Sequence, residues 1–282
     1  MLEGDKMDGV IVIDKPAGMS SHDVVFKLRK ILKTKKIGHT GTLDPNATGV
    51  LLVLVGKATK ILPFIEDIDK EYIATLQLGK RTFTDDIWGD VLEEKEVKKI
   101  DDFSCVLTSF LGVIKQTPPI VSSIKVNGKK LYEYARNGES VEIPIREVEI
   151  FDIESLNNKE YKFRVHCSSG TYVRSLCVDI AKKTNNLGCM SSLIRNKVGR
   201  FTLEDAQSLD TITLDTAVLH PIETMLAHLE FVVYTPIEHI YHGKKVCVKT
   251  EKNRICIIDG KKCIAVYERL QENIFKSVRG LW

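Results

Sequence analysis

The sequence predicts an α+β protein in which a large N-terminal domain is followed by a small all-β domain. Apolar runs and alternating segments typical of strands occur throughout the N-terminal two thirds, with amphipathic patterns of helical period between them. Near the C-terminus, short apolar runs are separated by turn residues such as Asp259-Gly260 and show no helical period. A chain of 282 residues can hold one large and one small domain. We expect these domains to cover residues 1–225 and 226–282, with a hinge in the region from Pro221 to Pro236.

The composition is that of an ordinary globular protein, with 43% hydrophobic and 28% charged residues. No run approaches the ~20 apolar residues that a membrane-spanning helix requires. Residues 1–6 lack the apolar centre of a signal peptide. We therefore expect a cytoplasmic protein that does not bind a membrane.

Seven cysteines are scattered along the chain without a Cys-x-x-Cys pair, which favours reduced buried thiols over disulfides. A late group of histidines and cysteines has spacings that match no common zinc pattern, so we expect no metal site. This group comprises His239, His242, Cys247, Cys256 and Cys263.

The net charge of +3 is small, but the basic residues are unevenly distributed. Residues 27–36 contain six lysines or arginines and no acid, and residues 243–282 contain ten against four acids. Such patches suit a polyanion such as a nucleic acid. On charge alone, a solvated surface explains them equally well.

The N-terminal elements are a strand, a turn and a helix. Apolar residues 10–13 predict a short strand, and the turn sequence at 14–18 ends it. Ser20 is placed as the helix N-cap, with Asp23 as a short form of the capping box. Apolar residues then repeat at helical spacing over 24–32, which leaves the basic residues on the other face.

A glycine-rich loop at residues 38–49 follows this helix. Its glycines, its proline and its hydroxyl side chains cannot sustain a helix, whereas the apolar residues 50–55 predict a buried strand. Asp44 is the carboxylate of this loop, and the proline after it disfavours a helical conformation. Taken alone, an aspartate in such a turn is most often a turn former.

Residues 70–78 predict a strand with Tyr72 on its apolar face. A tyrosine at the start of a strand is most often a half-buried packing residue. The turn at 82–89 follows and contains Asp86, which by itself is typical of a surface turn.

Basic and aromatic residues interleave over 122–136, a pattern that can bind phosphates and stack on exposed bases, although part of it could equally be core. A strand over 161–167 precedes a helix that begins near Tyr172, and Leu176, Ile180 and Ala181 are expected to face inward. Arg174 lies in the first turn of that helix, where the helix dipole is unfavourable for a cation, so it would be better placed beside a carboxylate.

The loop at 38–49 resembles, nearly residue for residue, the signature loop of the TruB family of tRNA pseudouridine synthases. In that family a histidine, a Gly-Thr-Leu-Asp-Pro core and an Ala-Thr-Gly tail surround the catalytic aspartate. The resemblance extends over residues 10–201 through further motifs in the family's order. These are Lys-Pro-x-Gly-x-Ser-Ser at 15–21, Asp-Lys-Glu-Tyr at 69–72, Thr-x-Thr-x-Asp at 82–86, Gly-Thr-Tyr-x-Arg-Ser-Leu at 170–176 and a closing motif at 193–201.

The resemblance implies a pseudouridine synthase fold, with a mixed, mainly antiparallel central sheet flanked by helices and loops, and a PUA-like C-terminal domain. It also implies that uridine 55 in the T arm of tRNA is flipped out and isomerised to pseudouridine without a cofactor. Asp44 would be the catalytic group, Arg174 would pair with it and favour its ionised form, and Tyr72 would lie against the base. Asp86 would orient Arg174. Direct attack at C1′ and a glycal route both remain open.

A second group of residues is implied to bind the RNA or the flipped base, partly through an RNA-clamping insertion at about 116–146. His39 would occupy or brace the space that the base leaves, and Leu193 would line the base pocket. The chain departs from the family at Val121, where relatives tend to have an aromatic residue, and at Asn196, which replaces the second of two adjacent arginines. The remaining members of this group are Lys15, Lys125, Lys129, Lys130 and Tyr172.

The expected partner is the T-arm stem-loop of tRNA, and we expect a monomer with no obligate protein partner. A guide-RNA-dependent, dyskerin-type enzyme is the alternative within the class, disfavoured by the short C-terminal domain and the absence of lysine-rich tails. A non-catalytic tRNA-folding chaperone and an RNA base hydrolase are alternatives from other classes.

Overall fold

The structure is a computed structural model that describes residues 7–65 and 68–282. The segment 1–6, for which the sequence predicts no signal peptide, lies outside the described residues. The chain forms two compact units. The described residues of the first unit are 7–45, 51–65 and 204–282, and those of the second unit are 46–50 and 68–203.

Strands and short helices are distributed over the described residues. The α-helices are α1 (Ser21–Ile31), α2 (Phe103–Thr108), α3 (Leu131–Asn137), α4 (Val173–Lys183), α5 (Ile222–Met225) and α6 (Glu238–Tyr241), and 3-10 helices cover Gly56–Phe64 and Leu203–Asp205. The strands are β1 (Gly9–Lys15), β2 (Ile37–His39), β3 (Thr48–Val55), β4 (Lys70–Leu78), β5 (Lys80–Thr82), β6 (Val91–Glu94), β7 (Gly112–Gln116), β8 (Lys125–Val126), β9 (Lys129–Lys130), β10 (Arg146–Asn157), β11 (Lys162–Cys167), β12 (Gly188–Val198), β13 (Phe201–Thr202), β14 (Gln207–Ser208), β15 (Glu230–Val233), β16 (Val246–Cys247), β17 (Arg254–Asp259), β18 (Lys262–Gln271) and β19 (Ile274–Gly280).

The N-terminal sheet of the first unit has the strand order β14-β1-β3, with β2 antiparallel to β3. Helix α1 packs its Val24, Val25 and Leu28 into a core that also contains Ile11 and Leu51. The predicted cap is confirmed: the Ser20 side chain accepts the Asp23 amide, and the Asp23 carboxylate accepts the Ser20 amide. Both the strand over 10–13 and the buried strand over 50–55 are also confirmed.

The C-terminal sheet of the first unit has the strand order β15-β17-β18-β19-β16 around a core that includes Tyr267 and Phe275. The Asp259-Gly260 turn joins β17 to β18, as the sequence predicts, and Gly260 has a φ of 59°. The sequence did not predict β15 or β19. Strand β15 pairs with β17 in parallel, within a stretch that the sequence treats as a hinge. The predicted boundary between residues 225 and 226 stays a prediction.

The sheet of the second unit has the strand order β3-β12-β4-β11-β10-β7. The β3–β12 pair is parallel and the other pairs of this path are antiparallel, which confirms a mixed, mainly antiparallel sheet. Helix α4 covers this sheet through the predicted inward residues Leu176, Ile180 and Ala181, all of them buried. No α-helix within 7–65 and 68–282 is long and apolar enough to cross a membrane.

A charged network ties four strands of the second unit together. Arg164 on β11 donates to Glu154 (2.8 Å) and Asp152 on β10 and to Glu71 on β4 (3.0 Å). These carboxylates, Glu154 above all, hold the pKa of Arg164 above its usual range. Asn196 on β12 donates to the other oxygen of Glu71 at 2.6 Å. The network therefore fixes β10, β11 and β12 relative to β4.

Gly49 is placed where no side chain fits. It has a φ of 105° and pairs with Arg195 across β3 and β12. A Cβ atom at Gly49 would lie 2.3 Å from the Arg195 carbonyl oxygen. Both the left-handed backbone and the close approach therefore require glycine.

We predict that Gly49→Ala lowers the free energy of unfolding by about 2 kcal/mol or more, because the strained backbone and the overlap add to one another. Thermal unfolding measures this. Gly38→Ala is the matched control, since no atom lies within 4 Å of its Cβ position. Equal melting temperatures for the two variants would contradict the conclusion that position 49 requires glycine.

Candidate active site

The glycine-rich loop that carries Asp44 leaves β2 at His39, which pairs with Val53 of β3 and is half-buried. The Thr40 amide donates to the Leu52 carbonyl at 3.1 Å, so the loop remains fixed to β3 at its start. Asp44 is partly exposed, and its neighbour Leu43 is buried. The carboxylate thus lies on a fixed loop and within reach of solvent.

Lys15, at the end of β1, holds the loop directly after Asp44. Its side chain is fully buried, and its ammonium donates to the carbonyl oxygens of Pro16 (2.8 Å), Met19 (2.6 Å) and Pro45 (2.9 Å). The predicted direct contact of Lys15 with RNA does not fit this position, because a fully buried ammonium offers no surface to a phosphate. The side chain instead fixes the main chain beside Asp44.

Ser21, the first residue of α1, holds the loop directly before Asp44. Its hydroxyl accepts the Leu43 amide at 2.8 Å and donates to the Leu43 carbonyl at 3.2 Å, and the residue is buried. The main chain on both sides of Asp44 is therefore fixed by buried side chains. Ser20, its neighbour, serves only the helix cap.

Tyr72 and Leu193 lie on one face of the second-unit sheet. In the β4–β12 register Leu193 pairs with Ala74 and Arg195 with Tyr72, so Tyr72 and Leu193 are diagonal neighbours. Both are buried at 7% exposure. Arg195 is also buried, and its Nε donates to the Val50 carbonyl at 2.7 Å.

Arg174 lies in the first turn of α4 and is buried. Its guanidinium donates to the Thr84 carbonyl at 2.9 Å and to the Val121 carbonyl at 3.0 Å. The start of the helix is held by Gln116, whose amide group accepts from the Tyr172 nitrogen (2.7 Å) and donates to the Tyr172 oxygen (3.1 Å). The sequence did not identify this function of Gln116, which becomes visible only when β7 and α4 are placed together.

Asp86 forms the turn that presents Thr84 to Arg174. Its carboxylate accepts the Thr84 hydroxyl at 2.6 Å and the Trp88 amide at 3.1 Å. The Thr82 hydroxyl donates to the Asp86 carbonyl at 2.6 Å. These bonds connect Asp86 to Arg174 through the main chain of Thr84.

Asp85 is a charged neighbour of Arg174 that the sequence did not identify. It has a φ of 63°, and its carbonyl accepts the Met190 amide at 2.9 Å. Burial raises the pKa of the Asp85 carboxyl, against the opposing influence of the positive charges of Arg174 and Lys182. Only the fold brings these groups together, because they lie far apart in the sequence.

The predicted clamp residues lie on the β8–β9 hairpin and beside helix α3. Lys125 is exposed, and the Lys130 ammonium lies 5.4 Å from the centre of the Tyr132 ring. Lys129 forms an ion pair with Glu139 at 2.6 Å. Leu131 is fully buried, so this segment is partly core, as the sequence allowed.

The late histidine and cysteine group does not assemble into a metal centre. Within the described ranges, no three His, Cys, Asp or Glu side chains are grouped so that they could hold an ion. Cys256 on β17 and Cys263 on β18 are joined by a disulfide, so the expectation of reduced thiols is wrong for this pair. The two strands are hydrogen-bonded neighbours, which brings these cysteines together.

Comparison with known proteins identifies one family across the chain. Residues 29–173 match the model of the TruB family pseudouridylate synthase N-terminal domain. A protein of Oceanobacillus iheyensis named tRNA pseudouridine synthase B is 47% identical over 79% of this chain and 78% of its own length. A protein of the same name from Staphylococcus aureus is 50% identical over 73% of this chain and 71% of its own length.

Among solved structures, the fold matches a chain in the crystal structure of a Cbf5-Nop10-Gar1 complex. The TM-score is 0.73 at 26% identity, and the match covers 98% of this chain and 85% of the other. The predicted fold class, a pseudouridine synthase fold with a PUA-like C-terminal domain, is confirmed by this match together with the family model.

We predict that Asp85→Asn stabilises the protein at neutral pH. Because the folded state raises the pKa of Asp85, the folded protein binds more protons than the unfolded chain, and its stability falls as the pH rises through the folded pKa. An asparagine side chain carries no charge, so the loss of stability with rising pH disappears, and asparagine tolerates the left-handed backbone at this position. The gain in melting temperature should be near zero at about pH 3 and grow towards about pH 7.

Asp90→Asn is the control, because Asp90 is an exposed aspartate at the end of the same turn. Because this side chain is exposed, its replacement should change the melting temperature little. A lower melting temperature for Asp85→Asn at neutral pH would mean that attraction to Arg174 and Lys182 outweighs burial.

Proposed function

Since the chain belongs to the TruB family of pseudouridylate synthases, we propose that it isomerises uridine to pseudouridine at position 55 in the T arm of tRNA. The observation that carries this proposal is the family's signature loop around Asp44, held on both sides by Lys15 and Ser21. Identity to the proteins named tRNA pseudouridine synthase B reaches 47–50%, against 26% for the matched chain of the Cbf5-Nop10-Gar1 complex. This difference favours an enzyme that acts on tRNA.

The reaction moves one bond within the nucleotide. The C1′–N1 bond breaks, a C1′–C5 bond forms, the C5 proton leaves and N1 gains a proton, so that substrate and product have equal mass. The uracil must first leave its stack and enter a pocket, at a cost of a few kcal/mol. Asp44 would either add to C1′ or promote loss of the 2′ proton to give a glycal, and both routes use an ionised carboxylate.

Arg174 would pair with the Asp44 carboxylate and orient it. Main-chain carbonyls of Thr84 and Val121 fix the guanidinium. Asp86 would act as a positioning residue, because its bonds reach Arg174 through Thr84.

Tyr72 and Leu193 would form the wall against which the flipped uracil packs, since they share a face of neighbouring strands. An aromatic ring supplies a stacking surface for any base. In the glycal route Tyr72 could also accept the 2′ proton. His39, at the entry to the loop, would fill or brace the space that the base leaves.

The insertion at about 116–146 would hold the RNA through Lys125, Lys129 and Lys130. Tyr172, which belongs to the same sequence motif as Arg174, would also bind the RNA or the base. The Lys129–Glu139 pair is exposed and therefore weak enough to exchange for a phosphate. Lys15 takes a different function from the one that the resemblance implied: we assign it to positioning Asp44.

We further propose that the enzyme acts as a cytoplasmic monomer without a cofactor, and that residues 226–282 touch the tRNA outside the active site. A tRNA-folding chaperone would keep its biological effect without the Asp44 carboxylate. A base hydrolase would release free uracil. Product analysis and the Asp44 variant below separate these from an isomerase.

We predict that Asp44→Asn abolishes tritium release from a T-arm stem-loop labelled at uracil C5. Activity should fall at least ~1,000-fold, because the reacting group itself is lost, whereas the Kd for the RNA should change by less than about threefold. Asp14→Asn, an exposed aspartate on β1, is the control and should release tritium at the wild-type rate. Tritium release by the Asp44 variant would refute the assignment of Asp44 as the catalytic group. If the wild type binds the RNA but releases no tritium, the protein is not an isomerase and the chaperone function would be the remaining explanation.

We predict that Ser21→Ala lowers kcat about tenfold with little change in KM, because the main chain beside Asp44 loses both bonds to Leu43 and a small displacement of a reacting group is costly. Ser20→Ala is the matched control. It removes the helix cap and costs about 1 kcal/mol of stability, yet it should leave kcat unchanged. Equal kcat values for the Ser21→Ala and Ser20→Ala variants, measured well below the melting temperatures of both, would argue against a positioning function for Ser21.

A further inference from the structure

Helix α1 carries an exposed aromatic and basic surface that the proposed reaction does not use. Phe26, Lys27, Lys30 and Lys33 are exposed, and 53% of the Phe26 surface is open to solvent. Because residues three and four apart are neighbours on a helix, Phe26, Lys27 and Lys30 form one continuous patch. The exposed Lys33 follows two residues after the end of α1. The Lys30 ammonium lies 4.5 Å from the centre of the Phe26 ring. We call this patch the α1 surface.

The α1 surface is not needed to hold the helix in place. The opposite face buries Val24, Val25 and Leu28 in the core, and the cap at Ser20 fixes the start of the helix. Arg29 is turned away from the patch and donates to the Ile37 carbonyl at 3.0 Å. The sequence from 24 to 43 contains no acid that could neutralise the lysines.

The chemistry of the α1 surface fits single-stranded nucleic acid. Three exposed lysines, two on the helix and one shortly after it, attract phosphates. A solvated surface would by itself account for these lysines. A phenylalanine in their midst is different, because an exposed ring gains nothing from water and offers a platform for an unpaired base. The ring and its adjacent ammonium together suit a nucleotide whose base is unstacked and whose phosphates are accessible.

The position of the α1 surface relative to Asp44 indicates which part of the RNA it meets. Ser21, at the start of α1, bonds Leu43 beside Asp44. Phe26 and Lys30 follow five and nine residues later, which is roughly 8 and 14 Å further along the helix axis at about 1.5 Å per residue. The surface therefore extends away from the reacting nucleotide.

We propose that the α1 surface binds an unpaired nucleotide and its neighbouring phosphates in the part of the tRNA outside the T arm. This inference rests on the proposed function, because it takes tRNA as the substrate. It extends that function, because it assigns the α1 surface to recognition of the whole tRNA rather than to the reaction.

The test compares a full-length tRNA transcript with the isolated T-arm stem-loop. The triple variant Lys27→Ala, Lys30→Ala, Lys33→Ala should raise the Kd for the full-length tRNA about tenfold or more. It should also reduce the slope of log Kd against log salt concentration by about 2. Phe26→Ala should raise the same Kd about fivefold or more with an unchanged salt slope. Neither variant should alter the Kd or kcat for the stem-loop.

Two controls match these changes elsewhere on the protein. Alanine at Lys95, Lys98 and Lys99 removes the same charge from an exposed segment of the second unit, and Phe151→Ala removes a ring that is 45% exposed. Both should leave the Kd for full-length tRNA unchanged. Equal melting temperatures of all variants would verify that each is folded.

Equal losses on tRNA and stem-loop would overturn the proposal, because the α1 surface would then contact the T arm itself. Unchanged affinity for both RNAs would also overturn it and leave a solvated face or a surface for a protein partner. Failure of the proposed function is a separate result, because the wild type would then convert neither RNA.

Discussion

The buried ammonium of Lys15 is the constraint on which the loop around Asp44 depends. A cation without exposed surface is stable only when its donors are satisfied, because desolvation of a charge is costly. Three carbonyl oxygens satisfy it, two from the turn after β1 and one from Pro45. Any movement of the loop away from β1 would remove one of these acceptors. The loop is thus fixed by the charge that it helps to solvate.

The second unit uses the same principle with arginines. Arg195 donates to the Val50 carbonyl, and Arg174 donates to the carbonyls of Thr84 and Val121. Main-chain carbonyls orient these two guanidiniums, whereas carboxylates orient Arg164. In each case the cation fixes neighbouring strands or loops through the acceptors that it requires.

Local patterns predicted α1 with its cap, β3, the buried face of β4 and the inward face of α4, because each depends on periodicity within a few residues. The resemblance supplied Asp44, Tyr72 and Arg174 as candidates. The features that the sequence did not predict depend on contacts between residues that lie far apart in the chain. A lysine is ordinarily expected at the surface, so the burial of Lys15 emerges only when residues thirty positions apart are brought together. Strand β19, with few buried side chains, carries little apolar signal.

At Asn196, where the chain departs from the family, a charged network on one face of the sheet fixes the position of Tyr72 on the other face. Asn196 is the extra residue of a bulge between the pairs Arg195–Tyr72 and Lys197–Glu71. Its amide reaches Glu71, and Arg164 reaches the same carboxylate from β11, so both neighbouring strands are fixed beside Tyr72. A slip of one residue would exchange the faces of Glu71 and Tyr72. Since the register requires only a donor that reaches Glu71, an asparagine can replace the arginine that relatives tend to have.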